Sequence, residues 1–134
     1  MSHLFVNPPD LPEAIGFSHA AVVEPGKTVF LAGQAGHRAD GSIAGDLLDQ
    51  FAQACRNVAV ALESSGAAPV DLVNLQIFVT DVASYRNLRR ELGEAYREVF
   101  GRHYPPMALF GVVELFDPAA HVELVATAVI PAKP

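Results

Sequence analysis

Glu123 is the residue that asks most plainly for a chemical reason. It lies in HVELVATAVI (121–130), which reads as an apolar strand. Burying a carboxylate there is costly unless it is paired, neutralised or wet. In a cleft, Glu123 would serve as general acid or base, or would orient an attacking water. On a merely solvated face it would be an interface carboxylate bonded to a neighbour's backbone. His121 shares its strand face, so a His–Glu proton relay is conceivable, although a histidine at a strand start is more often solvated. Two ligands without a third at metal-site spacing do not make a metal centre, and none is expected.

Other groups carry weaker signals. Gly33 and Gln34 would offer a backbone N–H and an amide to a ligand, or only a bend. The spacing of Gly33 and Gly36 is too loose for a phosphate loop. His19, next to Ser18 on the first strand, would rim a cleft, but no G-x-S-x-G elbow accompanies the pair. Met107, Leu109 and Phe110 would line a cleft or pack an interface. His3, His37 and His103 read as loop residues with no assigned role. Cys55, the single cysteine, falls on a helical apolar stripe and reads as a small buried hydrophobe.

The elements that must position these groups follow from periodicity. Residues 1–13 are proline-broken and expected to be irregular. Two short strands, 19–23 and 28–32, flank Glu24-Pro25-Gly26-Lys27, whose Pro-Gly suits a type II turn. A polar loop with an Asp40-Gly41 turn leads to a helix over 46–65, where Leu48, Phe51, Cys55, Val58 and Leu62 form one stripe and Gly66 ends it. The strand 69–80 alternates, with Val73, Leu75, Ile77 and Val79 on one side. Asp81 caps a second helix over 82–100, with Tyr85, Leu88, Leu92, Ala95 or Tyr96, and Val99 as its stripe. Gly93 sits inside that helix without a local reason, at a cost of about 1 kcal/mol against alanine. Strands 107–115 and 121–130 close the chain around an Asp117-Pro118 turn.

The order β-β-α-β-α-β-β predicts an α+β sandwich with both helices on one sheet face. The other face then carries Asn74, Gln76, Phe78, Thr80, His121, Glu123, Val125, Thr127 and Val129. It is too apolar for water and too polar for a dry core, which predicts an oligomer enclosing wet pockets.

The chain has 134 residues and reads as one domain, 1–134. Fifteen acidic residues against nine basic ones give a net charge of −6, which disfavours nucleic acid as a partner. The arginines at 86, 89, 90 and 97 alternate with Glu91, Glu94 and Glu98 and are expected to pair along a helix face. No signal peptide, membrane span or disulfide is expected, which suggests the cytoplasm. No cofactor is implied.

The succession AIGFSHA (14–20), VFLAGQAG (29–36), DQFAQACRNVAVALESSGA (49–67), FVTD (78–81), AYREVFG (95–101) and HVELVATAVI (121–130) resembles the Rid family. These are the reactive-intermediate deaminases, also called RidA/YjgF and endoribonuclease L-PSP. The resemblance covers residues 14–130 and rests on the ordered set of segments. It implies a chorismate-mutase-like (bacillus type) sandwich with a mixed sheet. It also implies a homotrimer with sheets facing inward and ligand clefts between subunits. In deaminase members an arginine on the strand after the second helix binds the substrate carboxylate; the matching residue is Met107. The family's frequent cysteine two residues on is Leu109, its cleft serine is Ala32, and its cleft tyrosine falls at Ser18. Gly33 and Gln34 match, and the cleft glutamate matches Glu123.

Methionine offers neither the charge nor the bidentate donors of a guanidinium. The resemblance therefore implies a divergent member that is not the usual 2-imino acid deaminase. The small-molecule substrate it implies is an uncharged or cationic imine, enamine or related C–N metabolite, attacked by water with help from Glu123. The alternative is a trimer that binds a small metabolite, or regulates, without turnover.

Overall fold

A computed structural model of the chain describes residues 2–43 and 45–133. Strands β1 (Leu4–Val6) and β2 (Ala20–Val22) pair with each other as a small antiparallel ribbon. The main sheet contains β3 (Gly26–Phe30), β4 (Gln34–Ala35), β5 (Leu72–Val79), β6 (Met107–Gly111) and β7 (Val122–Pro131). Its order is β3-β7-β5-β6, and β4 also pairs with β7, beyond β3 along the same edge. Helices α1 (Leu47–Ser64), α2 (Val82–Asn87) and α3 (Arg89–Phe100) complete the fold. The expected mixed-sheet α+β sandwich is what forms.

Strand β7 is central, pairing with β3 and β4 on one side and β5 on the other. Strands β4 and β5 both run antiparallel to it, so β4-α1-β5 is a crossover unit split by β7. Strands β5 and β6 are parallel neighbours joined through α2 and α3. The sequence expectation of 107–115 and 121–130 as strands about a turn therefore needs correcting: β5 lies between them.

The core forms between the helices and one face of the sheet. Val122, Leu124, Ala126 and Ala128 of β7 and Leu75, Ile77 and Val79 of β5 face Phe51, Cys55, Val58 and Leu62 of α1 and Leu92, Tyr96 and Phe100 of α3. A register irregularity between Leu72 and Asn74 brings Leu72 as well as Val73 into the core, which strict alternation could not anticipate. Burial pushes the Cys55 thiol far above its ordinary pKa, as fits a small hydrophobe.

Helix α1 begins where expected, with Asp46 accepting from the Asp49 N–H at 2.8 Å and Gly66 at φ 83° beyond its end. Asp81 caps α2 through the Ser84 N–H. The single helix expected over 82–100 is two, broken at Leu88, whose backbone leaves the helical region at φ −101° and ψ 12°. The break lets Leu92, Tyr96 and Phe100, four apart, turn inward together.

The expected arginine–glutamate ladder does not form. Among the described residues the helix has one ion pair, between the sequence neighbours Arg90 and Glu91 at 3.4 Å. Arg97 instead lies back over Gly93, where a Cβ would come 3.2 Å from its Nη1.

Two further expectations fail near the N-terminus. Residues 1–13 are not wholly irregular, because β1 pairs with β2 and His3 stitches the segment down. Its Nδ1 accepts from the Glu24 N–H at 3.0 Å, and its Nε2 bonds the Val129 carbonyl at 2.7 Å. Consequently β2 and β3 are not partners. Gly26 is not at positive φ but opens β3, where any Cβ would strike the Ile130 carbonyl.

Leu124 is fully buried at the centre of this core. Leu124→Ala should cost about 2–5 kcal/mol in a urea titration. Val125→Ala, on the half-exposed side of the same strand, should cost clearly less.

Candidate functional site

Strand β7 points Glu123 away from the helices, between Ala35 of β4 and Phe78 of β5. The edge formed by β3 and β4 is interrupted over residues 31–33, where the Leu31 N–H still donates to the Ala126 carbonyl at 3.2 Å. Gly33 sits in this gap against the Glu123 side chain. A Cβ at Gly33 would lie 2.8 Å from the Glu123 carboxyl carbon, so any larger residue there would have to displace the carboxylate. The Glu123 carboxylate is half-buried and makes no hydrogen bond or ion pair among the described residues. It opens into a cleft of about 440 Å³ that Gly33 and Ala35 line with His37, Phe116, Asp117 and Pro118.

His37 and Asp117 meet across this cleft, with Nε2 2.8 Å from Oδ2. The other carboxylate oxygen of Asp117 accepts the Ala119 N–H at 2.9 Å, and its carbonyl accepts the Ala120 N–H at 2.9 Å. The bond from His37, followed by that from the Ala119 backbone, holds the Asp117 carboxyl below its ordinary pKa.

Two amides on α1 fix the surrounding backbone. Asn57 Nδ2 donates to the carbonyls of Ala35 and His37, at 3.0 and 2.8 Å. Buried Gln50 donates to the Ala119 carbonyl at 2.9 Å and accepts the His121 N–H at 2.7 Å. Gly36 passes so close to α1 that a Cβ there would sit 2.7 Å from the Gln50 Cα. The helix thus anchors both walls of the cleft.

Of the residues singled out from the sequence, Gly33 and Glu123 come together. Gln34 adjoins them on β4, but its side chain bonds the Ala32 carbonyl at 3.3 Å. Ser18 and His19 lie elsewhere. Ser18 Oγ donates to the Tyr104 carbonyl at 2.7 Å, and His19 Nε2 bonds the Pro12 carbonyl at 2.7 Å. Met107 and Leu109 stand opposite Leu75 and Ile77, so within one chain they project from the helix side of the sheet, opposite Glu123. Met107 lines a groove with Tyr104, Gly93, Arg89 and Arg97. His121 lines a separate hollow with Asp46, Asp81 and Ser84, and no bond joins it to Glu123.

His37, Asp117, Gln50 and Asn57 were not anticipated from the sequence. The two amides left a trace, being polar residues seven apart beside the buried stripe of α1. The His37–Asp117 pair left none, since 80 residues separate its members. Among the described residues no three His, Cys, Asp or Glu side chains are grouped to hold a metal ion. No helix among them is long and apolar enough to cross a membrane.

The model of the endoribonuclease L-PSP family matches residues 10–130. A protein of Dermatophagoides farinae named 2-iminobutanoate/2-iminopropanoate deaminase is 30% identical over 127 residues, covering 93% of this chain and 94% of that protein. The fold is similar to that of YyfB, a conserved Rid-family protein of unknown function from Yersinia pestis. That likeness has a TM-score of 0.87 and 31% identity, over 97% of this chain and 100% of the other. It is also similar to Rv2704 of Mycobacterium tuberculosis, of the YjgF/YER057c/UK114 family, with a TM-score of 0.65 and 30% identity over 96% and 100% of the two chains. The chain belongs to the Rid/YjgF family, and its sandwich is the chorismate-mutase-like fold of that family.

Asp117 makes a sign-definite prediction. Its carboxyl is held low in the folded chain, so its stabilising contribution is complete above the ordinary carboxylate pKa of about 3.9. It is lost as pH falls through the folded value. Asp117→Asn should therefore be less stable than the parent chain at pH 7 and should approach it near pH 3, read from paired urea melts.

Proposed function

We propose that this chain is a Rid-type deaminase that hydrolyses a small imine in the cleft at Glu123, assembled as a homotrimer. The observation that carries this reading is the unpartnered Glu123 carboxylate, admitted to the cleft by Gly33. A carboxylate without a structural partner is free to accept a proton from water, which the first step of imine hydrolysis requires. The deaminase name of the Dermatophagoides farinae relative supports the reaction class.

The charge around the cleft supports the substrate class. Glu123 and Asp117 are both acidic, and among the described residues His37 is the only basic side chain lining it. An uncharged or cationic imine suits such a site better than a 2-imino acid, whose carboxylate would face two others. A chain charge of −6 likewise argues against a phosphodiester substrate.

The exposed sheet face supports the assembly. Phe30 is 80% exposed, and Phe78 stacks on Phe110 with centroids 5.3 Å apart, beside Val125 and Thr127. Copies of the chain meeting through these faces would cover an apolar surface that water solvates poorly. They would also bring groups of a second copy toward Glu123. Sedimentation at micromolar concentration should give three times the 14.3 kDa chain mass. A monomer would overturn the assembly.

The reaction is tested by generating imines in place and following ammonia release above the spontaneous rate. With an amine oxidase supplying an uncharged imine, the chain should accelerate release, and Glu123→Gln should lower kcat/KM by about 10²-fold or more. No acceleration across a broad set of imines would overturn the reading.

Arg97 favours a second reading. Its guanidinium shares the groove of Met107, and no carboxylate among the described residues pairs with it. It would then receive the carboxylate of a 2-imino acid in place of the missing strand arginine. On that reading an amino-acid oxidase would supply the better substrate and Arg97→Ala would abolish turnover. On the first reading Arg97→Ala leaves turnover intact.

A further inference from the structure

We propose that His37, oriented by Asp117, is the proton donor to the imine nitrogen. The inference rests on the hydrolytic reading of the Glu123 cleft and adds the acid that Glu123 cannot supply while acting as base. Two residues of that cleft, 80 positions apart in sequence, meet at 2.8 Å. The bond uses Nε2, leaving Nδ1 without a partner among the described residues. A carboxylate on one imidazole nitrogen fixes the tautomer and stabilises the imidazolium, while the other nitrogen exchanges protons.

The surroundings suit this division of labour. The backbone at His37 is held by the Asn57 amide on its carbonyl. The Asp117 loop is held by its own turn bonds and by Gln50. The titratable groups sharing the cleft with the imidazole are Asp117 from the 116–120 loop and Glu123 from β7, and α1 contributes amides. A pure tether between loops would not need to stand in the same cleft as an unpartnered carboxylate.

The steps balance. Glu123 takes a proton from water as the water oxygen bonds to the imine carbon. The C=N π pair moves to nitrogen, which takes a proton from the His37 imidazolium. The carbinolamine then collapses: neutral His37 removes the hydroxyl proton as C=O forms, the C–N bond breaks, and nitrogen takes the proton held by Glu123. Ammonia and a carbonyl compound leave, and both residues return to their starting states.

The test measures ammonia release against pH for the intact chain, His37→Gln and Asp117→Asn, with the imine supplied by an amine oxidase. His37→Gln should lower kcat by about 10²-fold with little change in KM and should abolish the alkaline limb of the profile. Asp117→Asn should keep the fold and shift that limb. If the parent chain is active and His37→Gln keeps its rate and alkaline limb, the inference falls while the hydrolytic reading stands. If the parent chain accelerates no imine, the reading falls and takes the inference with it. Should His37→Gln not fold, ring ¹⁵N shifts of the parent chain decide. A proton on Nε2 with Nδ1 bare, and a His37 titration that moves in Asp117→Asn, support the proposal. The opposite tautomer, or a titration indifferent to Asp117, overturns it.

Discussion

Strand β7 has to satisfy two environments with one backbone. Its Val122, Leu124, Ala126 and Ala128 are at most 1% exposed and must lie beneath the helices. Alternation then forces Glu123, Val125 and Thr127 to the other side. A slip of one residue would bury the carboxylate in the core and expose Leu124, so the register is tightly specified. With β7 fixed between β3–β4 and β5, the remaining strands can occupy only the positions left on either side. The placement of Glu123 on the open face is thus a by-product of core packing, and the cleft is built around a carboxylate already in position.

The cleft is built by close approach. Gly33 and Gly36 bring the chain within contact distance of the Glu123 side chain and of α1, where any larger residue would have to displace its neighbour. Neither adopts a positive φ, so what matters at both positions is the missing Cβ and not backbone freedom. The two buried or half-buried amides of α1 then satisfy backbone groups of β4, His37 and the 119–121 stretch that would otherwise be costly to enclose. The same helix that supplies the apolar core therefore also sets the shape of the polar site, and disturbing one disturbs the other.

Much of the fold was legible because it is periodic. The stripe of α1, the alternation along β5 and β7, and the cap Asp81 are local patterns, and each stands where local physics puts it. What was not legible is what depends on partners distant in the chain. The two-residue β4 has no period to read, and β1 exists only because β2 and His3 hold it. The neighbours of β7 are a matter of topology, and so is the face on which Met107 emerges. The site divides in the same way. Glu123 announced itself as a charge on an apolar strand, whereas His37 and Asp117 are ordinary loop residues until the fold brings them together.

The two carboxylates of the cleft differ in the way that assigns them different roles. Asp117 receives a backbone N–H and an imidazole, so its negative charge is satisfied and its proton affinity lowered. It is suited to orient a neighbour and poorly suited to carry protons. Glu123 has no such partner and stands beside Gly33, open to the cleft, where a water or a substrate would complete its hydrogen bonding. A pair of acids separated by environment into a fixed charge and an available base is a recurring way to run acid–base chemistry at neutral pH.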